Sequence, residues 1–395
     1  SEREAPEVEV HRILNRAEIL ERPWTATGVY GGKWLNASLP KVPVRTENLF
    51  LDLFASGHEC EEFEAGYDCG GPLRRLRVHV DDHPAGVMYP FPVIYTGGVN
   101  PLLWRPLTGI ASFDIPSYRF DLSPFLPILL NSSGHHLSVT VDYSTATGVW
   151  YLDPVLLSVL GPEASLGGAL QKANLTSSYL VRNTSSNTVS GKETSEFILR
   201  GTLNFSQGWR ELEVHGQLDA WANYTTIGGG GGPTSPADHR RVHGQSCGTI
   251  RAARLDSWGE GSHQDVSFSF PYHVNLNQSQ TGDAFFIHAD VSYGRHGSLM
   301  RSAGDTSWSN SIHGGAVYHR NRERVILAAV NNMTEEYVIQ DSVSGMCYNR
   351  LLKAANGSIS SDSGQASRCG KDSLAAANGA LPALSWNSWV REVVV

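Results

Sequence analysis

Four glutamates, Glu59, Glu61, Glu62 and Glu64, crowd the stretch that opens with His58 and contains Cys60 and Phe63. Carboxylates in unlike environments can divide acid and base roles, because burial raises one pKa while hydrogen bonding holds another low. A run of this kind also reads as one solvated acidic loop, and residue types alone leave both readings open. A second group is Trp104-Arg105. An indole offers a stacking face, and a guanidinium offers paired hydrogen bonds to a carbonyl or an oxyanion. The alternative there is a core Trp104 and an Arg105 that pairs with Asp114 or Asp121. Asp114, in Ser112-Phe-Asp-Ile-Pro116, reads as a turn former ahead of the proline.

Other chemistries find no support. No Gly-x-Ser-x-Gly elbow occurs. The run Gly228 to Gly232 lacks the following Lys and helix start of a phosphate loop, so it reads as a flexible surface loop. No His/Cys group has the close spacing of a structural zinc site, and no metal or other cofactor is expected.

Positioning such groups falls to strands. Gly (40) and Pro (19) are plentiful and charged residues make up only 18%, which suits short strands joined by turns. Leu49 to Phe54 reads as a mostly buried strand. Leu76, Val78 and Val80 alternate with Arg75, Arg77 and His79, predicting one apolar and one wet face. Val93 to Thr96, Tyr118 to Leu122, Leu137 to Val141 and Val149 to Leu152 continue the pattern, which closes near Leu156 to Leu160 before Gly161-Pro162. The expected fold is all-β, with an antiparallel sandwich of about eight strands over 1–160 and a second β-rich domain with little helix over 161–395. Strand candidates beyond the boundary, such as Val266 to Phe270 and Phe285 to His288, are less informative.

The formal charge is −8, from 31 basic and 39 acidic residues without a basic block, so neither nucleic acid nor an anionic membrane surface is an expected partner. No apolar run reaches the ~18 residues that span a bilayer. Nine Asn-x-Ser/Thr sequons stand at Asn36, Asn131, Asn174, Asn183, Asn204, Asn223, Asn277, Asn332 and Asn356. With 20 Asn residues and about one residue in six being Ser or Thr, chance gives roughly three or four. They predict passage through the secretory pathway, to an extracellular or vacuolar destination, with each sequon in a surface loop. Five cysteines fit an oxidising compartment. Cys60 and Cys69 bracket one short loop and Cys347 and Cys369 a longer one, which suggests local pairing, although connectivity stays open. Cys247 is then a free thiol or pairs with another chain.

The segment from Pro90 to Tyr118, which includes Thr96-Gly-Gly-Val-Asn-Pro-Leu-Leu-Trp-Arg-Pro-Leu-Thr-Gly-Ile110, resembles the signature of the peptide:N-glycosidase A family, the asparagine amidases known from plants. Phe120 to Leu126 and Val149 to Asp153 agree with it. The likeness is strong over residues 45–160 and weaker beyond. It implies a jelly-roll sandwich for 1–160, similar to the second of the two jelly rolls of bacterial peptide:N-glycosidases, and hydrolysis of the amide between Asn and the first N-acetylglucosamine of glycopeptides.

By the same resemblance, Cys60-Glu61-Glu62-Phe63 is similar to a Cys-x-Glu-aromatic stretch of the bacterial enzymes, which makes Glu62 the catalytic candidate. His58, Trp104 and Arg105 become groove-lining, substrate-binding candidates. Glu61 and Glu64 are expected to lie in the exposed acidic loop, where substitution is silent. The family's principal catalytic Asp belongs to a first jelly roll that has no counterpart in this sequence, so a companion domain or chain is the expected partner, and whether this chain acts alone stays open. The contrasting readings are a non-catalytic module that binds the chitobiose core and a structural or storage glycoprotein.

Overall fold

The computed structural model describes residues 7–14, 27–30, 32–63, 73–131, 134–144, 147–185, 187–228, 238–259 and 261–369. They are all-β, in three antiparallel sheets. Nine strands precede residue 161: β1 (Val8–Arg12), β2 (Thr27–Tyr30), β3 (Trp34–Ser38), β4 (Thr46–His58), β5 (Arg75–Val80), β6 (His83–Met88), β7 (Tyr118–Asp121), β8 (His136–Asp142) and β9 (Val149–Leu160). One sheet has the order β1-β9-β4-β7, with β2 also paired to β9, and another has the order β3-β8-β5-β6.

Alternation decides these strands. Leu49, Leu51, Leu53 and Ala55 of β4 are buried while the residues between them are half-buried. In β9, Trp150, Leu152, Leu156 and Leu160 face the core, so the two separate runs read from the sequence are one continuous strand. Two expectations are corrected. Val93 to Thr96 is not a strand. Pro90 and Pro92 each remove a ladder donor, Ile94 makes one isolated bridge to Phe63, and a helical turn, α1 (Thr96–Val99), follows. Nor is the polar side of β5 simply wet. Arg75 is buried and bonds Asp142 on β8 and Glu193 beyond it.

Residues 167–368 form a single meander of ten strands: β10 (Gly167–Ser185), β11 (Thr188–Phe205), β12 (Gly208–Gly228), β13 (Asp238–Asp256), β14 (Gly261–Thr281), β15 (Ala284–Arg301), β16 (Gly304–Arg320), β17 (Ile326–Asp341), β18 (Met346–Ala355) and β19 (Ser358–Arg368). Each pairs with the next. Its inner face, with Phe197, Leu199, Leu218, Val242, Phe270 and Val291, shares one hydrophobic cluster with β4, β5 and β8. The outer face carries mostly polar and charged side chains. The disulfide Cys347–Cys369 ties the start of β18 to the residue after β19.

Candidate active site

The acidic stretch begins where β4 ends, in a 3-10 turn over Glu59–Glu61. Glu59 itself takes a left-handed conformation (φ 61°), uncommon for a residue with a side chain. The chain then runs extended through Glu62 (φ −66°, ψ 140°), so successive side chains alternate in direction. Glu61 and Phe63 point inward, and Glu62 points out.

Glu61 is the reverse of its expectation. Its side chain is fully buried, and its two oxygens accept from Arg74 Nε (2.5 Å) and Nη2 (3.1 Å), while Trp150 Nε1 donates at 2.8 Å. Two glycines make the room. A Cβ on Gly148 would lie 2.5 Å from Glu61 Cγ, and one on Gly57 would lie 2.5 Å from the Glu61 carbonyl oxygen. Sequence reasoning missed this because Arg74 and Trp150 are far along the chain, and a Glu in a charged run gives no sign of its partner. Phe63 packs edge-on to Tyr272 of β14, ring centroids 5.1 Å apart.

Between these two anchors Glu62 stays 38% exposed, with Oε1 3.9 Å from His58 Nδ1. The other ring nitrogen of His58 is 3.0 Å from Ser56 Oγ, and the imidazole stands edge-on to Tyr151 at 4.9 Å. Ser56 also hydrogen-bonds Tyr95. Burial and the nearby Glu62 charge raise the Tyr95 pKa, and the Ser56 bond partly opposes that. Tyr95 and Ser56 thus join a group for which the sequence offered only His58 and Glu62. Cys60 is disulfide-bonded. Cys69 and Glu64, like the glycine run from Gly229, lie outside the described residues.

The Trp104-Arg105 loop is fixed to the inner face of the ten-stranded sheet by three polar side chains. Asn100 Oδ1 accepts from Leu102 N (3.0 Å), and its Nδ2 donates to the carbonyls of Ala316 (3.2 Å) and Ile287 (3.4 Å). Asn331 Nδ2 donates to Leu102 O (2.5 Å), and Tyr293 Oη accepts from Ile110 N (2.9 Å). Trp104 is not core. It is 41% exposed, rests on Gly97 of α1 and meets Phe113, itself exposed, at 5.6 Å. Phe113 is a second exposed ring that sequence reasoning passed over. Arg105 is exposed and makes no ion pair among the described residues. Asp121, one of its two suggested partners, is half-buried, and desolvation raises its pKa against its hydrogen bonds to Ser123.

Glu62 and Trp104-Arg105 do not touch. They are linked through Tyr95, which lies beside Glu62 and leads directly into α1, on which Trp104 rests. Beyond Phe113, a cavity of about 370 Å³ runs between the loop and the inner face, lined by Asp114, Asn310, Glu335, Tyr337 and Arg350. Burial raises the Glu335 pKa there. No group of three or more His, Cys, Asp or Glu among the described residues could hold a metal ion. Nor is any helix among them long and apolar enough to cross a membrane.

Residues 21–151, which contain both loops, match the family described as peptide N-acetyl-beta-D-glucosaminyl asparaginase amidase A. This segment belongs to the amidase A family. Over 127 residues the chain is 37% identical to the peptide-N4-(N-acetyl-beta-glucosaminyl)asparagine amidase A of Prunus dulcis. That stretch covers 29% of this chain and 22% of the almond protein, so the chain spans about a fifth of that relative's length. No solved structure matches the chain.

Proposed function

We propose that this chain is part of a glycoamidase that hydrolyses the amide between Asn and the first N-acetylglucosamine of glycopeptides, with Glu62 as its acid–base group. The carrying observation is the position of Glu62, held outward between the buried anchors Glu61 and Phe63 beside His58 and Tyr95, within the amidase A segment.

In the reaction, water adds to the side-chain carbonyl carbon Cγ, the amide Cγ–Nδ2 bond breaks while the nitrogen stays on the sugar, and aspartate and a glycosylamine result. Glu62 takes the water proton and returns one to the departing nitrogen. His58, 3.9 Å away, fixes the carboxylate and supplies a proton donor. Trp104 offers a face to a pyranose ring, and the unpaired guanidinium of Arg105 suits the acetamide carbonyl or the oxyanion. Glu61 holds the loop and takes no part in the chemistry.

In this reading the two sheets of residues 8–160 are a jelly roll, 161–395 is an accessory domain, and a second carboxylate comes from a companion domain or chain. Carriage of glycans and passage through the secretory pathway are proposed beside it, on the nine sequons. The test takes the chain from its native source, with whatever copurifies, and incubates it with a fluorescent glycopeptide. Release of free glycan with conversion of Asn to Asp is expected. Retention of intact glycopeptide without release would replace the amidase reading with that of a binding module.

A further inference from the structure

The sequons were expected in surface loops. The structure corrects this. Asn36, Asn131, Asn174, Asn204, Asn223, Asn277, Asn332 and Asn356 are all exposed, but most lie on strands rather than in loops. The side chain of Asn183 lies outside what is described.

Register places five of them on one surface. Phe197 of β11 faces the core, so its neighbour Ile198 faces out, and Asn174 of β10 pairs with Ile198. Asn204 of β11 has the same parity as Ile198. Asn223 of β12 pairs with Ser190 of β11, Asn277 of β14 with His239 of β13, and Asn332 of β17 with Gly315 of β16, all outward positions. From β10 to β17 is seven strand steps, about 34 Å at ~4.8 Å each.

The amide nitrogens of these asparagines are uncommitted. Asn36 Oδ1 accepts from Ser138 Oγ (2.7 Å), Asn223 Oδ1 from Ser190 Oγ (2.7 Å), Asn332 Oδ1 from Gly315 N (3.2 Å) and Asn356 Oδ1 from Asn331 N (3.4 Å). None of the eight spends its Nδ2 on a hydrogen bond among the described residues. Asn100, Asn275 and Asn331, which stand in no sequon, do donate from Nδ2 to partners inside the protein, whereas Asn321 only accepts. The free nitrogen is the atom a glycan needs.

We propose that the outer face of the ten-stranded sheet is a glycan-coated face, modified at Asn174, Asn204, Asn223, Asn277 and Asn332 and closed to protein partners. At each site Nδ2 bonds to the anomeric carbon of an oligosaccharide carried on a lipid diphosphate. The sugar C–O bond breaks, the diphosphate leaves with its electron pair, and the Nδ2 proton goes to solvent. The inference stands without the amidase reading, since it uses only exposure, register and a free amide nitrogen. The loop of residues 104–113 carries no sequon and docks on the opposite, inner face of the sheet.

The full chain, secreted from a eukaryotic host, tests this by glycopeptide mass mapping. Glycans at the five outer-face sites are expected. Occupancy confined to Asn36, Asn131 and Asn356 would overturn the proposal. Coating is read separately through Cys247, a half-buried free thiol whose parity on β13 puts it on the same face. A polymer-linked maleimide should label Cys247 severalfold more slowly than a small maleimide. Trimming the glycans to one sugar on the folded protein should close most of that gap. Equal ratios before and after trimming would show that the face is open.

Discussion

In residues 8–160, β4 pairs with β7 and β9, so that Phe50 meets Asp121 and Asn48 meets Val159. In residues 167–368 every strand pairs only with its neighbours in sequence. Both regions bury one face of antiparallel sheet in the same core, yet the candidate chemistry sits in the first. The meander's neighbours are set by short turns, and a turn cannot bring together groups from distant parts of the chain. The non-local pairing does. Gly57 of β4 lies opposite Trp150 of β9, and that brings Glu61, Arg74 and Trp150 to one point. The meander contributes a platform, with Asn331 and Tyr293 presented to hold the Trp104 loop.

If the first region depends on long-range clamps, removing one should cost most. Glu61→Ala leaves the Arg74 guanidinium buried without its carboxylate, which destabilises by about 3–5 kcal/mol. Chemical denaturation should read that loss, and a loss below 1 kcal/mol would mean that the clamp is incidental. In the meander the contrast is between faces of one strand. Phe197→Ala opens a cavity under β11 and should cost about 3–5 kcal/mol, whereas the outward Ile198→Ala should cost less than about 1 kcal/mol. Similar losses from the two would break the assignment of inner and outer faces on which the glycan inference also rests.

A smaller effect tests the seam between the regions. Glu193 of β11 bonds Arg75 of β5, and both pKa values are raised. Glu193 and Asp142 raise that of Arg75 against its desolvation. Burial raises that of Glu193 to about 7 and outweighs the pull of the guanidinium. An acid whose folded pKa exceeds its unfolded value stabilises the fold fully below the unfolded pKa of 4.5, and that contribution is lost as pH rises through about 7. Melting temperatures of the parent chain should therefore fall over this window by more than those of Glu193→Gln. Parallel pH profiles would show that Glu193 is not the group responsible.

The apolar half of the fold could be read from residues such as Leu76, Val78 and Val80, because alternation is written locally. The long strands of the meander were harder. Their outward positions hold Ser, His, Asn and Thr, as in Ser267, Ser269, His273 and Asn275 of β14, and these residue types are as common in loops. In the candidate site, residue types drew attention to the acidic run and to Trp104-Arg105, and only the resemblance chose Glu62 among the glutamates. That Glu61 is buried and Arg75 bridges two sheets could not, since each depends on a partner brought in by tertiary pairing. The 3-10 turn and the extended run after it decide which of two adjacent glutamates faces out.

That choice carries the functional account, and glycan release by paired variants tests it most directly. Glu62→Gln keeps the side chain's shape and removes its proton-accepting capacity, while Glu59→Gln changes an exposed neighbour in the same turn. Assayed on a glycopeptide with the native companion present, Glu62→Gln should lower turnover by about 10²–10⁴ with an unchanged melting temperature, and Glu59→Gln should leave it near the parent's. Equal turnover in the two variants would contradict the assignment of Glu62.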